Sequence, residues 1–248
     1  MTAPFPTRKI EEWRYADLDA LRPVWEQLGE PERIHLPAGD SVQMVWRWAD
    51  DPVQVRRVHL TLGEGAKARI FALNSAEHYG RVELQVELAA EADFELYGAN
   101  IGTADSNNEF VTNVRHLGPR GRSRQTVRSV LGGKAVGSYV GKVEVARSAQ
   151  QTDGEQSVKA MLLDRGATAN CKPELEIYAD DVKCAHGATV GELDPNQLFY
   201  AMSRGLDPAT ARALLLEGFI MGLWDEIADE VEREAIRDAA RDALRRVV

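Results

Sequence analysis

Apolar and polar residues alternate over much of residues 53–146, most plainly at Arg81-Val82-Glu83-Leu84-Gln85-Val86-Glu87-Leu88, where the even positions are apolar. Side chains of a strand point alternately to its two faces, so this pattern predicts a half-buried strand. Similar short runs follow at 94–97, 126–131, 139–145, 156–163 and 175–178, broken by Gly, Asn and Asp. No helix-period segment interrupts them. Such a series fits a sandwich, a barrel or a stacked solenoid. The turns lack Asn-Gly and Asp-Gly pairs at two-residue spacing, the strongest short signal of an antiparallel hairpin. That favours the solenoid, although no exact sequence repeat marks its coils.

After Gly191 the pattern changes. Asp194 is placed to cap a helix with Pro195 at its first position, and Leu198, Phe199 and Met202 then share one face until Gly205 stops it. A second start at Asp207-Pro208 feeds Ala211, Leu214, Leu215, Ile220, Leu223 and Trp224, a helix too apolar to stand alone in water. The final stretch sets acids ahead of bases at Glu230/Arg233, Glu234/Arg237, Asp238/Arg241 and Asp242/Arg245, which reads as a solvated helix face. Near the start, residues 9–21 form a short helical candidate with Trp13, Leu18 and Leu21 apolar, interrupted by Pro23. The expected organisation is an N-terminal docking arm over 1–23, a β core over 24–191 and a helical domain over 192–248.

Composition narrows the class. With 248 residues, 44% of them hydrophobic and 28% charged, the chain is long enough to bury a proper core and is not of disordered type. A net charge of -9 argues against nucleic acid or anionic lipid and for a protein partner. The opening thirteen residues hold no apolar core of signal-peptide length. No stretch nears about 18 uncharged apolar residues, so the expected location is the cytoplasm, with no membrane span. Two cysteines, Cys171 and Cys184, are too few for a disulfide framework and are expected to remain thiols there.

Candidate chemistry concentrates at Asp180-Asp181-Val182-Lys183-Cys184-Ala185-His186-Gly187-Ala188-Thr189. Read as a strand over 182–190, it puts Val182, Cys184, His186, Ala188 and Val190 on one face. Thiolate and imidazole two residues apart can approach a common point, and both ligate iron, zinc or a cluster. Two ligands are half of a usual four-ligand shell, so on spacing alone a small buried thiol and a hydrogen-bonded core histidine are the favoured reading, unless a second chain completes the site. Cys171 reads as a buried thiol on a neighbouring strand. Arg120, Arg122, Arg124 and Arg128 read as a solvated strand edge. His35, His59, His78 and His116 lack ligand spacing. No phosphate-cradling loop ending in Lys-Ser or Lys-Thr, nucleophile elbow or paired-carboxylate motif occurs, so no enzymatic turnover is expected.

The stretches Val143-Glu144-Val145-Ala146-Arg147-Ser148-Ala149-Gln150-Gln151-Thr152-Asp153-Gly154-Glu155-Gln156-Ser157 and Lys172-Pro173-Glu174-Leu175-Glu176-Ile177-Tyr178-Ala179, running on into Asp180–Thr189, closely resemble the SufB/SufD family of iron–sulfur cluster assembly proteins. So do Met161-Leu162-Leu163, Asp194-Pro195-Asn196-Gln197-Leu198-Phe199-Tyr200, Ser203-Arg204-Gly205, Glu217-Gly218-Phe219 and Arg8-Lys9-Ile10-Glu11-Glu12-Trp13-Arg14-Tyr15. The likeness is strong over roughly the last half of the chain and holds only in character over 24–118. His186-Gly187-Ala188-Thr189 is similar to the SufD form; SufB-type chains tend to carry glutamate where Gly187 stands. The resemblance implies a right-handed parallel β-helix core with a C-terminal α-helical domain. It implies a scaffold subunit of the SUF system that pairs with a SufB-type paralogue, or homodimerises when isolated, and docks a SufC-type ATPase. His186, with Cys184 in support, is then expected to contact a transient iron–sulfur cluster or iron shared with the partner chain, none being tightly held by the isolated chain. Phe199, Tyr200, Arg204 and Phe219 are the expected ATPase contacts. The alternatives are a purely structural partner subunit without metal contact and a β-solenoid enzyme. Many members are longer, and the likeness extends to little of their N-terminal helical region.

Overall fold

The structure is a computed structural model and describes residues 4–47 and 52–247. Residues 1–3 of the expected arm, 48–51 of the expected core and Val248 lie outside it. Twelve strands occur among the described residues: β1 (Glu32–Leu36), β2 (Ser41–Arg47), β3 (Val53–Leu62), β4 (Lys67–Asn74), β5 (Tyr79–Leu88), β6 (Asp93–Gly102), β7 (Asn107–His116), β8 (Arg122–Leu131), β9 (Val136–Val145), β10 (Asp153–Leu162), β11 (Thr168–Ile177) and β12 (Lys183–Glu192). Odd-numbered strands form one sheet in the order β1-β3-β5-β7-β9-β11. Even-numbered strands form the other, β12-β10-β8-β6-β4-β2. Every pairing is parallel, and each coil gives one strand to each sheet, so the chain is a β-solenoid. The alternation seen in the sequence is the inward row: Val82, Leu84, Val86 and Leu88 of β5 pack inside with Leu60, Ile70, Phe94, Leu96 and Phe110.

Two layers cover the outer faces. On the odd-strand sheet lies the N-terminal arm, built of short pieces: a 3₁₀ turn Glu11–Trp13, α1 (Leu18–Leu21), a 3₁₀ turn Arg22–Val24 and α2 (Trp25–Leu28). The continuous helix expected over 9–21 is broken because Asp17 caps α1, accepting from the amides of Asp19 and Ala20. Pro23 sits in the first turn of the next piece, where its missing N–H has no bond to make. Trp13, Ala16 and Leu21 of the arm bury Tyr79 of β5. Beneath them, fully buried Arg81 pairs with Glu109 at 2.8 Å and Glu83 at 2.9 Å, with Trp13 over its guanidinium at 3.7 Å. Glu11 of the arm reaches Lys172 on β11.

On the even-strand sheet lie the C-terminal helices α4 (Pro208–Ile220) and α5 (Glu230–Arg245), preceded by α3 (Pro195–Ser203). Asp194, Asp207 and Asp229 cap all three through their side chains, and Gly205, at φ 96°, takes the left-handed turn that ends the first. Leu216, Ile220, Trp224, Ile236, Ala240 and Leu244 pack on Phe71, Leu73, Ala99, Ile101 and Val130, the outward row of β4, β6 and β8. The four acid–base pairs expected on α5 all form. The helices therefore flank the solenoid and leave its last coil, β11 and β12, without a neighbouring strand on one side among the described residues. Among the described residues no helix is long and apolar enough to cross a membrane.

Candidate functional site

β12 is the outermost strand of the even-strand sheet. Among the described residues its only ladder partner is β10, with Cys184 opposite Gly154 and His186 opposite Gln156. The expected strand is thus present, and the alternation puts Cys184 and His186 on its inward side as read. Burial separates them: Cys184 is half-buried against the core, whereas His186 is exposed. Neither is fully covered, and that has a positional reason. An inward side chain is buried fully only when another coil lies on top of it, and among the described residues none lies on β12.

Cys184 is seated by Gly154. A Cβ on that glycine would stand 3.3 Å from the sulfur and 3.6 Å from Val143, so a side chain there would crowd the thiol. Burial holds the Cys184 thiol above the usual range, partly offset by the Gly154 backbone amide, and burial does the same for Cys171. Both are therefore thiols near neutral pH, and binding a soft metal would release a proton from each.

Cys171, from β11, also belongs to this mouth. It lies in register with Tyr139, and Tyr139 reaches across the solenoid to Gln156, the residue beneath His186. Among the described residues no three His, Cys, Asp or Glu side chains converge to hold a metal ion. The donor types fit an iron–sulfur cargo, thiol sulfur and imidazole nitrogen, but their number within one chain does not complete a four-ligand shell.

The other expected site residues follow the mouth in the chain: Phe199 and Tyr200 lie on α3, Arg204 at its C-cap and Phe219 on α4. Phe199 is 73% and Tyr200 60% exposed on α3, with the Arg204 guanidinium donating to the Tyr200 hydroxyl at 3.0 Å. Phe219 is half-buried against the helix–sheet cluster. The basic run is not an edge. β8 lies inside its sheet, and Arg124 stands between Glu95 at 3.9 Å and Glu155 at 3.5 Å, while Arg122 faces Asp153 at 4.0 Å. Alternating charge across neighbouring strands accounts for Arg122 and Arg124, because opposite charges directly opposed stabilise a sheet face, while Arg120, in the turn before β8, pairs with Glu91 and Arg128 donates to the carbonyls of Val127 and Ser157.

Sequence reading missed the side chains under the mouth. Ser123, Gln125, Tyr139 and Gln156 are all buried polar residues on the inward rows. Their sequence signal is polarity at positions where the alternation demands apolar residues, which becomes informative only when the register is known.

Residues 38–219 match the family model described as SUF system FeS cluster assembly, SufBD core domain. The chain is 31% identical over 184 residues to an iron–sulfur cluster assembly SufBD family protein of Synechocystis sp., covering 73% of this chain and 40% of that protein. It is 47% identical over 104 residues to Protein ABCI7, chloroplastic, of Arabidopsis thaliana, covering 41% of this chain and 22% of that one. It is 40% identical over 105 residues to iron–sulfur cluster assembly protein SufD of Escherichia coli, covering 42% of this chain and 25% of that one. The chain thus spans less than half the length of each of these three relatives.

Proposed function

Since the chain belongs to the SufBD family of the SUF iron–sulfur cluster assembly system, we propose that it is a SufD-like scaffold subunit that pairs with a SufB-type paralogue across its open last coil. The observation that carries this reading is the position of Cys184 and His186 on an edge strand that no other strand among the described residues covers. A row of unpaired N–H and C=O groups is a template for a further strand, and Ile177, Tyr178 and Val190 add exposed apolar surface around it. A partner seated there would face both donors and could bring the ligands this chain lacks. The cluster is cargo: it forms between the chains and is passed on, so the scaffold performs no turnover of its own. In a cytoplasmic, reducing setting both thiols stay available.

His186→Ala in the reconstituted complex is expected to fold normally and to lower cluster yield at least about tenfold, consistent with the loss of one ligand direction. Absorption of the anaerobically assembled complex measures it. Unchanged yield for both His186→Ala and Cys184→Ala, with pairing intact, would leave this chain a structural partner without metal contact.

The ATPase dock is assigned to α3. Exposed aromatic residues bury large area at small entropic cost, which is why they anchor interfaces, and Phe199 and Tyr200 stand exposed on α3. Replacing both by glutamate is expected to cost less than about 0.5 kcal/mol of stability and to abolish co-purification of the SufC-type ATPase while pairing through the last coil persists. Retained co-purification would sink the assignment.

A further inference from the structure

Along the inward rows the solenoid changes character toward its open end. The row under His186 runs Met44, Ile70, Leu96, Gln125, Gln156, His186, one residue per coil. The first three are apolar, and the glutamines are 0% and 1% exposed. Buried amides in an aliphatic row need partners, since an unmet donor or acceptor costs about 1–3 kcal/mol. Tyr139 supplies one contact to each. Its hydroxyl donates to Gln125 Oε1 at 3.2 Å and accepts from Gln156 Nε2 at 2.9 Å, with Thr112 Oγ1 at 3.3 Å. A phenol has a single proton. Once that proton goes to Gln125, the hydroxyl can only accept from Gln156, which turns the Gln156 carbonyl away from it. Gln156 Oε1 is left buried and without a partner among the described residues. The next rung is His186, whose exposed ring makes no hydrogen bond among the described residues.

We infer that Gln156 is the positioning residue for His186. Its Oε1 accepts the N–H of the ring nitrogen nearer the sheet, which leaves the other nitrogen's lone pair facing the open end. A neutral imidazole carries one N–H, and the hydrogen bond on one nitrogen decides which nitrogen can ligate. Rungs of a parallel ladder stand about 4.8 Å apart, so a rotamer change of the exposed His186 side chain closes this bond while Tyr139 keeps its hold on Gln156. The retention of an amide where Leu96 and Ile70 precede it then has a cause: Tyr139 holds Gln156, and Gln156 holds the imidazole. The inference rests on the reading of His186 as a donor to iron or a cluster, and it concerns this chain's own groups.

The test is long-range ¹H–¹⁵N correlation on the full chain labelled at its 5 histidines, which reads the tautomer of each ring. His186 is expected in one tautomer in the unmodified chain and as a mixture of both in Gln156→Met. It is expected to return to one tautomer in Gln156→Glu, which keeps an acceptor. His116, buried elsewhere in the core, should not move and reports an intact fold. In the reconstituted complex Gln156→Met should weaken iron loading about 10- to 100-fold. An unchanged His186 tautomer in Gln156→Met, with His116 unmoved, overturns the inference. Should Gln156→Met disturb His116, Gln156→Leu takes its place: it also removes the acceptor, and a His186 that still holds one tautomer, with His116 unmoved, overturns the inference equally. Normal cluster yield in His186→Ala with a responsive tautomer would defeat the assembly reading alone and leave the hydrogen bond standing.

Discussion

Arg81→Met is expected to lower the free energy of unfolding by about 3–5 kcal/mol, because it strands a buried carboxylate. Glu109 is 0% exposed, and its charge is met by Arg81 at 2.8 Å. Burial alone pulls the Arg81 guanidinium down in pKa, but the Glu109 charge beside it overrides this, and the net shift is upward. Tyr79, which donates to the same carboxylate, is pushed well above the usual phenol range by burial and by that charge. Removing the cation leaves Glu109 with the Tyr79 hydroxyl and no counter-charge, under the lid of Trp13. The arm should loosen first, so Trp13 exposure and the denaturant midpoint should change together. The double variant Arg81→Met with Glu109→Gln should recover most of the loss, since the carboxylate then no longer needs pairing. A loss below about 1 kcal/mol in the single variant would refute the account.

Acid is the second large effect. His116 is buried in the inward row of β7, its Nε2 within 2.8 Å of the Ser123 hydroxyl, and burial lowers its pKa to about 4. In the unfolded chain a histidine titrates near 6.5. Between these values the unfolded state binds more protons than the folded state, so stability falls as pH falls. The contribution is intact above about pH 6.5 and is lost progressively toward pH 4, for a total of about 3 kcal/mol. Unfolding free energies measured across that window should fall more steeply for the unmodified chain than for His116→Gln. Parallel curves would remove His116 as the cause.

How far the sequence carries can be seen element by element. The even-position row of β5 was legible, because strand periodicity acts locally and any coil of the solenoid displays it. The three caps Asp194, Asp207 and Asp229 differ in the same respect: the first two were legible beside their prolines, and the third, without one, was not singled out. Coil length hid the repeat. Val53 pairs with Tyr79 but Val136 pairs with Thr168, so the spacing drifts by several residues and no fixed period appears. The basic run at Arg122 and Arg124 was misplaced on an edge, since its acidic partners Glu95 and Glu155 lie a coil away on either side.

What the sequence determined by itself was therefore the local chemistry: strands, caps, the acid–base pairs of α5, and Cys184 and His186 on one face of one strand. The tertiary structure alone decided that this strand is the last, so that the same inward face is covered at Gln156 and open at His186. Register is set by long-range hydrogen bonds between coils, and stacking order by which coil has no successor. Neither is written in the local alternation of apolar and polar residues. The polar floor of Gln125, Tyr139 and Gln156 follows from the same cause, because residues far apart in the chain meet only once the coils are stacked.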